Sequence, residues 1–450
     1  MNNMFLRVII FLKDKFILRK STGYCIKKFA EKSGPAYIKL AQILAVQNIG
    51  NIFTEEDRRD LLHICDDCNV VDYEEIDKVL REEFGSKYYD FHTIEHEPVG
   101  AASISQVHSA YLPDGRRVVL KVKRKDITSR LEKDISFMKF VSKHFGGIIG
   151  LHNLIGSQEA LSMYLGWILT EIDFRHEVEN IKEYKVFSES VNGSVDGCVS
   201  IVLPDVYEEY CTDNVICMSY IPYKTISNID DRSKTPIILN ALSSYFRLSF
   251  NDLFYGDKVV FHGDPHAGNI YIDDEGNIGF LDMGLTFALS KHDMRMVRKL
   301  FFSVYCNKPD VVFKLLTESF VGSEEQLEEM YNDIIKCIKG LKNKPVTQYF
   351  MDMVLVCFKY NVKPPQILFC MAKAFVCLSG LDIVYDNGMS GVELLEEQII
   401  AYVISCIKNA CSTGLEFVTI LPLLTVVDNK RLVSLISRCK DVVERVTDFI

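Results

Sequence analysis

The stretch HGDPHAGNIYIDDEGNIGFLDMG, residues 262–284, places carboxylates and an amide beside the apolar runs of buried strands. Asp264 and Asn269 stand five positions apart before one such run, and Asp282 follows the next run. Side chains of these types suit phosphoryl transfer, in which one aspartate accepts the proton of the attacking hydroxyl while an asparagine and a second aspartate hold Mg²⁺ on the phosphates. We therefore predict Asp264 as the general base and Asn269 and Asp282 as the metal ligands.

A purely structural interpretation of the same residues exists, because Asp, Asn and Gly are also the commonest turn residues and can simply close a hairpin. Two features favour chemistry. The spacing of Asp264 and Asn269 equals that of the base and the metal-binding asparagine in protein-kinase catalytic loops. The Asp-Met-Gly sequence at Asp282 also stands where such kinases have an Asp-x-Gly, so phosphoryl transfer is the preferred interpretation.

Phosphoryl transfer requires a site for the nucleotide, and the region upstream supplies candidates. In the run VVLKVKR, Lys121 lies within an apolar strand, as does the lysine that contacts the α- and β-phosphates in kinases. About twenty residues before it, Gly100, Ala101, Ala102 and Ser103 stand where a glycine-rich loop would cover the phosphates, although the full glycine pattern is missing. We predict these four residues as the phosphate loop.

The hydrophobic pattern indicates which elements position these residues. Residues 33–90 have helical spacing, with a capped helix start at Thr54-Glu-Glu-Asp57. The runs 104–112 and 117–123 read as strands joined by a turn at Pro113-Asp114-Gly115. Helical spacing returns over about 126–190 and after 235, with short strands between 199 and 221 and in the stretch quoted above.

Composition restricts the class of protein. The 450 residues are 48% hydrophobic, enough for two or more packed domains, and the net charge of −10 argues against a partner that is a nucleic acid. The 14 cysteines are scattered through apolar segments, which predicts an intracellular reducing compartment. Cys65 and Cys68, with His63 nearby, lack a second ligand pair, so we assign no zinc. No apolar run reaches the roughly 18 residues that a membrane-spanning helix needs.

Residues 1–32 differ from the rest of the chain, since eight Lys or Arg side chains accompany only two acidic ones, a net charge of +6. With the interleaved apolar residues, this pattern fits a basic amphipathic helix resting on an anionic membrane surface. It fits equally a helix packed on the protein body with a solvated basic edge. An organelle-targeting peptide is a third explanation, disfavoured because no serine precedes Ser21.

Several segments together resemble the aarF/UbiB family of atypical kinases, over about residues 33–386. They are, in order, SGPAYIKLAQILAVQ, GAASISQVH, TEIDFRHEVEN, FHGDPHAGN with LDMG, and VKPPQILFCMAKAFVCLSGLDIVYD. They stand for the family's KxGQ segment, alanine-rich loop, ExD motif, catalytic loop with metal aspartate, and a later helix. The chain departs from the family pattern at Ala41, Gly100, Gly263, Ala267 and Met283 and has Ser219 at the usual acidic hinge position, but it keeps every residue assigned a chemical role.

The resemblance implies further roles. Glu177 would pair with Lys121, and the strand NVICMSYIPY would be the hinge, with Ser219, Tyr220 and Ile221 offering backbone hydrogen bonds to adenine. Four residues would be regulatory: Lys39 and Gln42, which share a helix face over the nucleotide site, and Glu171 and Asp173 of the ExD motif. Asp173 and Glu177 are four residues apart on a helix predicted to begin near Glu171, so one helical face would offer both carboxylates. For Asp173, a helix-start carboxylate favoured by the macrodipole is an equally good explanation.

The expected fold is α+β: a two-lobed protein-kinase-like fold with an N-terminal KxGQ-type helical extension and C-terminal helices. We expect a basic N-terminal segment (1–32), the extension (33–95), a kinase-like N-lobe with inserted helices (96–221), a C-lobe (222–390) and a C-terminal helical region (391–450).

The resemblance implies an atypical kinase or ATPase that uses Mg²⁺ with ATP or ADP and is linked to lipid or isoprenoid-quinone metabolism. Its expected partners are the nucleotide, an anionic membrane surface and proteins of a lipid or quinone pathway, and its expected location is peripheral on a membrane, a mitochondrion or another organelle included. Two alternatives stay open: a small-molecule kinase of the aminoglycoside/choline type, whose catalytic loop is similar, and a nucleotide-binding scaffold with little turnover.

Overall fold

The computed structural model describes residues 13–34, 70–145, 172–229, 234–255, 258–305, 308–317, 323–340 and 346–360, and in addition residues 10–11, 36–38, 40–41, 54, 57, 61, 165–166, 168–170, 362, 364–365, 367–368, 370 and 372. The predictions for Lys39, Gln42 and Glu171, for the Cys65–Cys68 pair with His63, and for residues 391–450 lie outside the described residues.

Helices and strands are mixed along the chain. The helices are α1 (Thr22–Ser33), α2 (Tyr73–Phe84), α3 (Ile127–Phe145), α4 (Phe174–Val191), α5 (Thr235–Tyr255), α6 (Lys291–Tyr305), α7 (Pro309–Leu316), α8 (Glu324–Gly340) and α9 (Val346–Lys359). The strands are β1 (Thr93–Ala101), β2 (Ser105–Tyr111), β3 (Arg117–Lys123), β4 (Ile201–Val202), β5 (Val215–Ser219), β6 (Val259–His262), β7 (Ile270–Ile272), β8 (Ile278–Phe280) and β9 (Thr286–Leu289). No helix in the described part of the chain is both long and apolar enough to cross a bilayer.

The chain divides into two compact units. The first comprises Met1–Glu183, Leu203–Pro222 and Asp282–Leu285, and the second comprises Tyr184–Val202, Tyr223–Leu281 and Thr286–Ile450. The short segment that begins at Asp282 therefore belongs to the first unit, whereas β6, β7 and β8, which directly precede it in sequence, belong to the second.

The first unit is built on an antiparallel sheet with the strand order β1-β2-β3-β5. Strands β2 and β3 confirm the two runs predicted from the sequence, and the turn between them lies at the predicted Asp114-Gly115. Gly115 has a φ of 85° and donates its N–H to Leu112 O at 2.9 Å, a conformation that favours glycine. This hairpin sets the register that directs Lys121 to one face of the sheet.

One face of this sheet carries the core of the first unit. Val118, Leu120 and Val122 of β3 are fully buried there, together with Ile76 and Leu80 of α2. The two helix residues are four positions apart and so share one side of α2. Fully burying side chains of this size stabilises the fold by roughly 1.5–3 kcal/mol each, so α2 is fixed on the sheet by its apolar side, and Lys121 lies on the opposite face.

Strand β1 was not predicted from the sequence. It is an edge strand, its residues are exposed or half-buried throughout, and its register with β2 shifts between Ile94 and Pro98 and again before Gly100. Proline and such bulges are typical of edge strands and remove the alternating pattern by which a strand is recognised.

The second unit contains a three-stranded sheet of order β4-β8-β7 and a two-stranded pair, β6-β9. Strands β7 and β8 form the predicted hairpin, closed by a turn in which Asp273 Oδ1 accepts from the backbone N–H groups of Glu275 and Asn277 at 2.9 and 2.8 Å. Gly276 in this turn has a φ of 84°. The hairpin holds Asn269 directly before β7, and β9, which pairs with β6, was not predicted.

The described part of the basic N-terminal segment forms two short pieces, a π-helix (Lys13–Ile17) and α1, instead of one continuous helix. Asp14 is buried and receives a hydrogen bond from Lys28 at 2.8 Å, so the π-helix and α1 are bonded to each other. Ile17, the last residue of the π-helix, and Leu18, which follows it, are 72% and 51% exposed.

The N-terminus of α1 is hydrogen-bonded to the helix start predicted at Thr54–Asp57. Ser21 Oγ accepts from Tyr24 N at 3.1 Å and donates to Asp57 Oδ1 at 2.6 Å. Asp57 N in turn donates to Thr54 Oγ1 at 3.1 Å, while Thr54 N donates to Asp57 Oδ2 at 3.2 Å. These reciprocal bonds confirm the helix cap predicted at Thr54–Asp57.

Candidate active site

Lys121 is the centre of a buried cluster of charges in the first unit. Its ammonium lies 2.7 and 2.9 Å from the two carboxylate oxygens of Glu177 and 3.0 Å from Asp282 Oδ2. The side chains of Lys121 and Glu177 are only 6% and 1% exposed, whereas that of Asp282 is 52% exposed. One lysine thus joins a buried carboxylate to a carboxylate that is open to solvent.

Helix α4 positions two of the groups in this cluster. Glu177 lies in its first turn, and Oε1 accepts from Met283 N at 3.3 Å. One turn further on, Asn180 Nδ2 donates to Met283 O at 2.9 Å. Both backbone groups of Met283 are therefore held by α4, which fixes the neighbouring Asp282.

The pKa values of Lys121 and Glu177 are both raised, for different reasons. Burial alone would lower the pKa of Lys121, but the Asp282 and Glu177 carboxylates outweigh it and raise that pKa, so Lys121 is a permanent cation. Burial raises the pKa of Glu177 to about 7; the ammonium of Lys121 offsets part of this effect, and the negative charge of Asp282 adds to it. The cluster holds a fixed positive charge directly beside an accessible carboxylate.

The predicted phosphate loop is a tight hairpin connection between β1 and β2. Ala102 N donates to Ser105 O at 2.8 Å, and Arg124 N, just beyond β3, donates to Ile104 O at 2.9 Å. Gly100 has no positive φ, and no atom lies within 4 Å of a Cβ added there. Its backbone therefore has a conformation that alanine also adopts.

The predicted hinge residues follow β5. Ser219 N donates to Asp205 O at 2.8 Å, and Tyr220 N donates to Arg117 O at 3.2 Å. The guanidinium of Arg117 also lies over the Tyr220 ring, 3.8 Å from its centre. Both N–H groups are engaged within the protein, which leaves Ile221 N–H as the hinge donor with no backbone acceptor among the described residues.

The second unit contains the predicted catalytic loop. Asp264 is half-buried and Asn269 is 3% exposed. Asn269 Nδ2 donates to Asp264 O at 3.3 Å, and its Oδ1 accepts from Leu281 N at 3.1 Å. This amide therefore links the loop to the end of β8, next to Asp282 in sequence.

His262, which was not singled out from the sequence, organises this loop. It is 1% exposed, its Nδ1 accepts from Asp264 N at 3.0 Å, and its ring stacks on Phe280 with centres 4.6 Å apart. The sequence signal was available, since the histidine directly precedes Gly-Asp264 in the quoted stretch. His262 thus contacts both the backbone of Asp264, the predicted base, and the ring of Phe280 in β8.

Asp173 acts as a helix cap in the structure. Helix α4 begins at Phe174, not near Glu171 as the sequence pattern suggested, and Asp173 Oδ1 accepts from His176 N at 3.0 Å. Asp173 thus precedes the helix, and the prediction that it shares a helical face with Glu177 was wrong.

The metal ligands predicted from the sequence, Asn269 and Asp282, are oxygen donors of the kind that Mg²⁺ prefers. Asp282 has an accessible carboxylate, and the Asn269 carbonyl oxygen accepts from Leu281 N at 3.1 Å. Among the described residues, no cluster of three or more His, Cys, Asp or Glu side chains could hold a metal. Kinase-type magnesium sites need fewer, since phosphates and water complete the coordination.

The sheet with its buried Lys–Glu pair and the loop with Asp264 and Asn269 are features of protein-kinase-like proteins, and comparison with known proteins agrees. The model of the ABC1 atypical kinase-like domain matches residues 63–315. The chain therefore belongs to the ABC1 atypical kinase-like family. This confirms the aarF/UbiB resemblance and the two-lobed protein-kinase-like α+β fold.

Three curated relatives show the distance within the family. An uncharacterized protein from the hydrogenase 1 5′ region of Clostridium pasteurianum is 26% identical over 87% of this chain and 72% of its own length. A probable protein kinase UbiB from Shewanella sp. (strain ANA-3) is 28% identical over 75% of this chain and 61% of its own length. The chloroplastic Protein ACTIVITY OF BC1 COMPLEX KINASE 7 of Arabidopsis thaliana is 26% identical over 64% of this chain, which spans only 40% of that protein.

Proposed function

We propose that the chain binds a magnesium complex of ATP or ADP and, with ATP, catalyses phosphoryl transfer or hydrolysis. The observation that carries this proposal is the arrangement at Lys121, a buried cation held by Glu177 at 2.7 Å beside the accessible carboxylate of Asp282 at 3.0 Å. A purely structural ion pair would not need the second carboxylate. The arrangement suits a lysine that contacts phosphates and an aspartate that holds their metal ion.

Each residue has a separate role in this proposal. Lys121 donates to the α- and β-phosphates, and Glu177 orients it. Asp282 and Asn269 would hold Mg²⁺, which when bound supplies the positive charge that bridges and neutralises the phosphates. Asp264 orients the attacking oxygen and accepts its proton. The backbone of Gly100–Ser103 covers the phosphates, and the hinge at Ser219–Ile221 contacts the base, with Ile221 as the N–H donor.

A titration with ATP and with ADP, each with and without Mg²⁺, tests the nucleotide part of the proposal. We expect Asp282→Asn to abolish the thermal stabilisation by Mg-nucleotide. Asp264→Asn should leave that stabilisation intact but remove most phosphate release, because a positioned base typically contributes roughly 10² to 10⁴-fold. Asp274→Asn, a change of the same type at an exposed turn residue, serves as the control. Equal Mg-nucleotide binding in Asp282→Asn, or unchanged turnover in Asp264→Asn, would contradict the assigned roles.

We further propose that the activity serves lipid or isoprenoid-quinone metabolism, as the family resemblance implies, and that the protein is peripheral on an anionic membrane surface, a mitochondrion or another organelle included. The exposed Ile17 and Leu18 adjoin Arg19 and Lys20, which combines apolar and cationic groups at one point of the surface. Regulatory roles for Lys39, Gln42, Glu171 and Asp173 belong to the same proposal.

Phosphate release measured with and without anionic vesicles tests this second part. Stimulation by vesicles, lost in Ile17→Ser/Leu18→Ser, supports it. Turnover only after addition of a small alcohol would favour a small-molecule kinase, and nucleotide binding without turnover under any condition would favour a scaffold.

A further inference from the structure

Gln106 and His108 of β2 are buried polar residues that the proposed chemistry does not use. Both are 0% exposed, and they are paired in register with Val122 and Leu120, so they lie on the face of the sheet that α2 covers. Gln106 is also the partner of Ala101, the phosphate-loop residue at the end of β1. A side chain in this place is fixed directly beside the predicted phosphate loop.

The side-chain amide of Gln106 forms two hydrogen bonds with the backbone of Val71, two residues before α2 begins. Gln106 Oε1 accepts from Val71 N at 2.8 Å, and Gln106 Nε2 donates to Val71 O at 3.1 Å. Asp72, at the cap position of α2, makes no side-chain capping bond. The start of α2 is therefore held by a side chain from β2, at a sequence distance of 35 residues.

His108 determines which way this amide points. Its Nδ1 lies 2.8 Å from Glu95 O, within the irregular part of β1, and its Nε2 lies 2.9 Å from Gln106 Nε2. A carbonyl oxygen only accepts, so Nδ1 carries the proton, and Nε2 is left to accept from the Gln106 amide. Every donor in the chain from Glu95 to Val71 then meets an acceptor only when His108 is neutral.

We propose that Gln106 and His108 form a proton-controlled latch that holds the start of α2 to the phosphate-loop hairpin, closed when His108 is neutral and open when it is protonated. A proton on His108 Nε2 would face the Gln106 N–H group, donor against donor. Rotation of the amide would relieve this contact, but it would turn nitrogen towards Val71 N–H and oxygen towards Val71 O. Both bonds to Val71 would be lost.

The surroundings of His108 support this control. Burial lowers its pKa, His96 acts in the same direction, and the Glu95 carbonyl and the Glu97 carboxylate act in the opposite one. From α2, the ring of Tyr73 lies edge-on to His108 at 5.5 Å and stacks on His96 at 4.0 Å. Because the folded-state pKa is depressed, the closed latch is fully stable above the ordinary histidine pKa of about 6.5 and weakens as the pH falls below it.

The consequence for catalysis rests on the proposed function, whereas the latch itself does not. The segment that carries Lys39 and Gln42 enters α2 through Val71, and Gln106 joins that point to Ala101 of the phosphate loop. Opening the latch would release the loop from α2 and so weaken nucleotide binding. Gln106 and His108 are accordingly positioning residues for the phosphate loop.

Hydrogen exchange at the Val71 amide tests the latch without any nucleotide. The protection factor of Val71 N–H would be measured on the full chain between about pH 5.5 and 7.5. In the wild-type protein we expect it to fall by up to about 10-fold as the pH is lowered over this range, which is the most that one proton binding with an ordinary histidine pKa of about 6.5 can produce. His108→Gln keeps an acceptor for Gln106 but does not titrate, so its protection should be independent of pH. His92→Gln removes an exposed histidine of the same unit and should behave as the wild type.

A second variant keeps the proposal testable if one of these proteins folds poorly. Gln106→Glu provides acceptors to Val71 N–H and to protonated His108, so protonation no longer opens the latch and the protection of Val71 N–H should not fall as the pH is lowered. The ¹⁵N spectrum of the wild-type imidazole should show the proton on Nδ1 at neutral pH. A proton on Nε2, or equal pH dependence in wild type and His108→Gln, would overturn the latch.

Mg-nucleotide affinity measured over the same pH range separates the two proposals. Affinity that falls with pH in the wild type but not in His108→Gln supports the link to the phosphate loop. If no nucleotide binds to any variant while Val71 protection behaves as expected, the proposed function fails and the latch stands. If affinity is independent of His108 while protection changes, the link between them is refuted.

Discussion

Removing the ammonium of Lys121 should lower the free energy of unfolding, because the buried carboxylate of Glu177 then loses its cationic partner. In Lys121→Met, the Glu177 carboxylate stays buried, since only 1% of its side chain is exposed, and it retains just the Met283 N–H at 3.3 Å as a donor. Removing one partner of a buried pair typically costs about 3–5 kcal/mol. Asp282 turns to solvent, because its side chain is 52% exposed, and adds little. We expect the free energy of unfolding to fall by about 3 kcal/mol, at the lower end of the range for buried pairs.

The double variant Lys121→Met/Glu177→Gln separates charge from packing. It removes the uncompensated carboxylate, so it should lie within about 1 kcal/mol of the wild type and recover about 2 kcal/mol of the stability that Lys121→Met loses. Urea unfolding at neutral pH, followed by circular dichroism, measures all three proteins. Lys182→Met is the control, since Lys182 is 42% exposed and its bonds to Glu179 and Glu208 lie at the surface, where such pairs contribute about 1 kcal/mol or less. The reasoning is refuted if Lys121→Met unfolds like the control, or if the double variant is less stable than Lys121→Met.

Three further predictions concern stability. A Cβ at Gly279 would overlap the buried Tyr271 ring, so Gly279→Ala should lower the free energy of unfolding in urea by about 3 kcal/mol. In a protein that also carries Tyr271→Ala, the same glycine change should cost much less. Additive losses would contradict the overlap. Burial alone would raise the pKa of Asp333, but hydrogen bonds from two lysines and a tyrosine lower it to about 2. Its stabilisation is thus complete above about pH 4 and is lost towards pH 2, so Asp333→Asn should cost about 1 kcal/mol at neutral pH and flatten the unfolding curve in that window; an unchanged acid slope would count against it. Gly100→Ala should raise the unfolding free energy by about 0.4–1 kcal/mol in thermal unfolding, because the added methyl group meets open space; destabilisation would show that the loop needs glycine.

Local sequence patterns were sufficient for the elements that carry the site. Strands β2 and β3 alternate within an apolar run and are joined by a Pro-Asp-Gly turn, and β7 and β8 flank a turn with Gly276. In both hairpins the turn residues set the register, and the register directs each side chain to one face. The position of Lys121 on its face therefore follows from the sequence alone.

Neither strand β1 nor the hydrogen bonds that the hinge N–H groups of Ser219 and Tyr220 donate within the protein could be predicted from the sequence, for a common reason. Each depends on backbone groups whose partners lie far away in the chain, as in the bond from Tyr220 N to Arg117 O. The two hydrogen bonds between the Gln106 side chain and Val71 are of the same kind, because the groups that Val71 contributes are its backbone N–H and C=O. Every residue except proline carries the same backbone N–H and C=O groups, so the residue type does not show which of them forms a hydrogen bond. Side-chain patterns therefore identify at most one partner of such an interaction.

The ExD segment shows how this limit affects functional assignments. The spacing of Asp173 and Glu177, four residues apart, would put both carboxylates on one face only if both were inside the helix. The side chain of Asp173 instead accepts from His176 N, and its carbonyl accepts from Glu177 N at 3.0 Å, so the residue is the cap with which the helix begins. Because that cap fixes where α4 starts, it also fixes the helical position from which Glu177 reaches Lys121. A role of Asp173 in setting that contact follows from this geometry whether or not its carboxylate also has a regulatory partner.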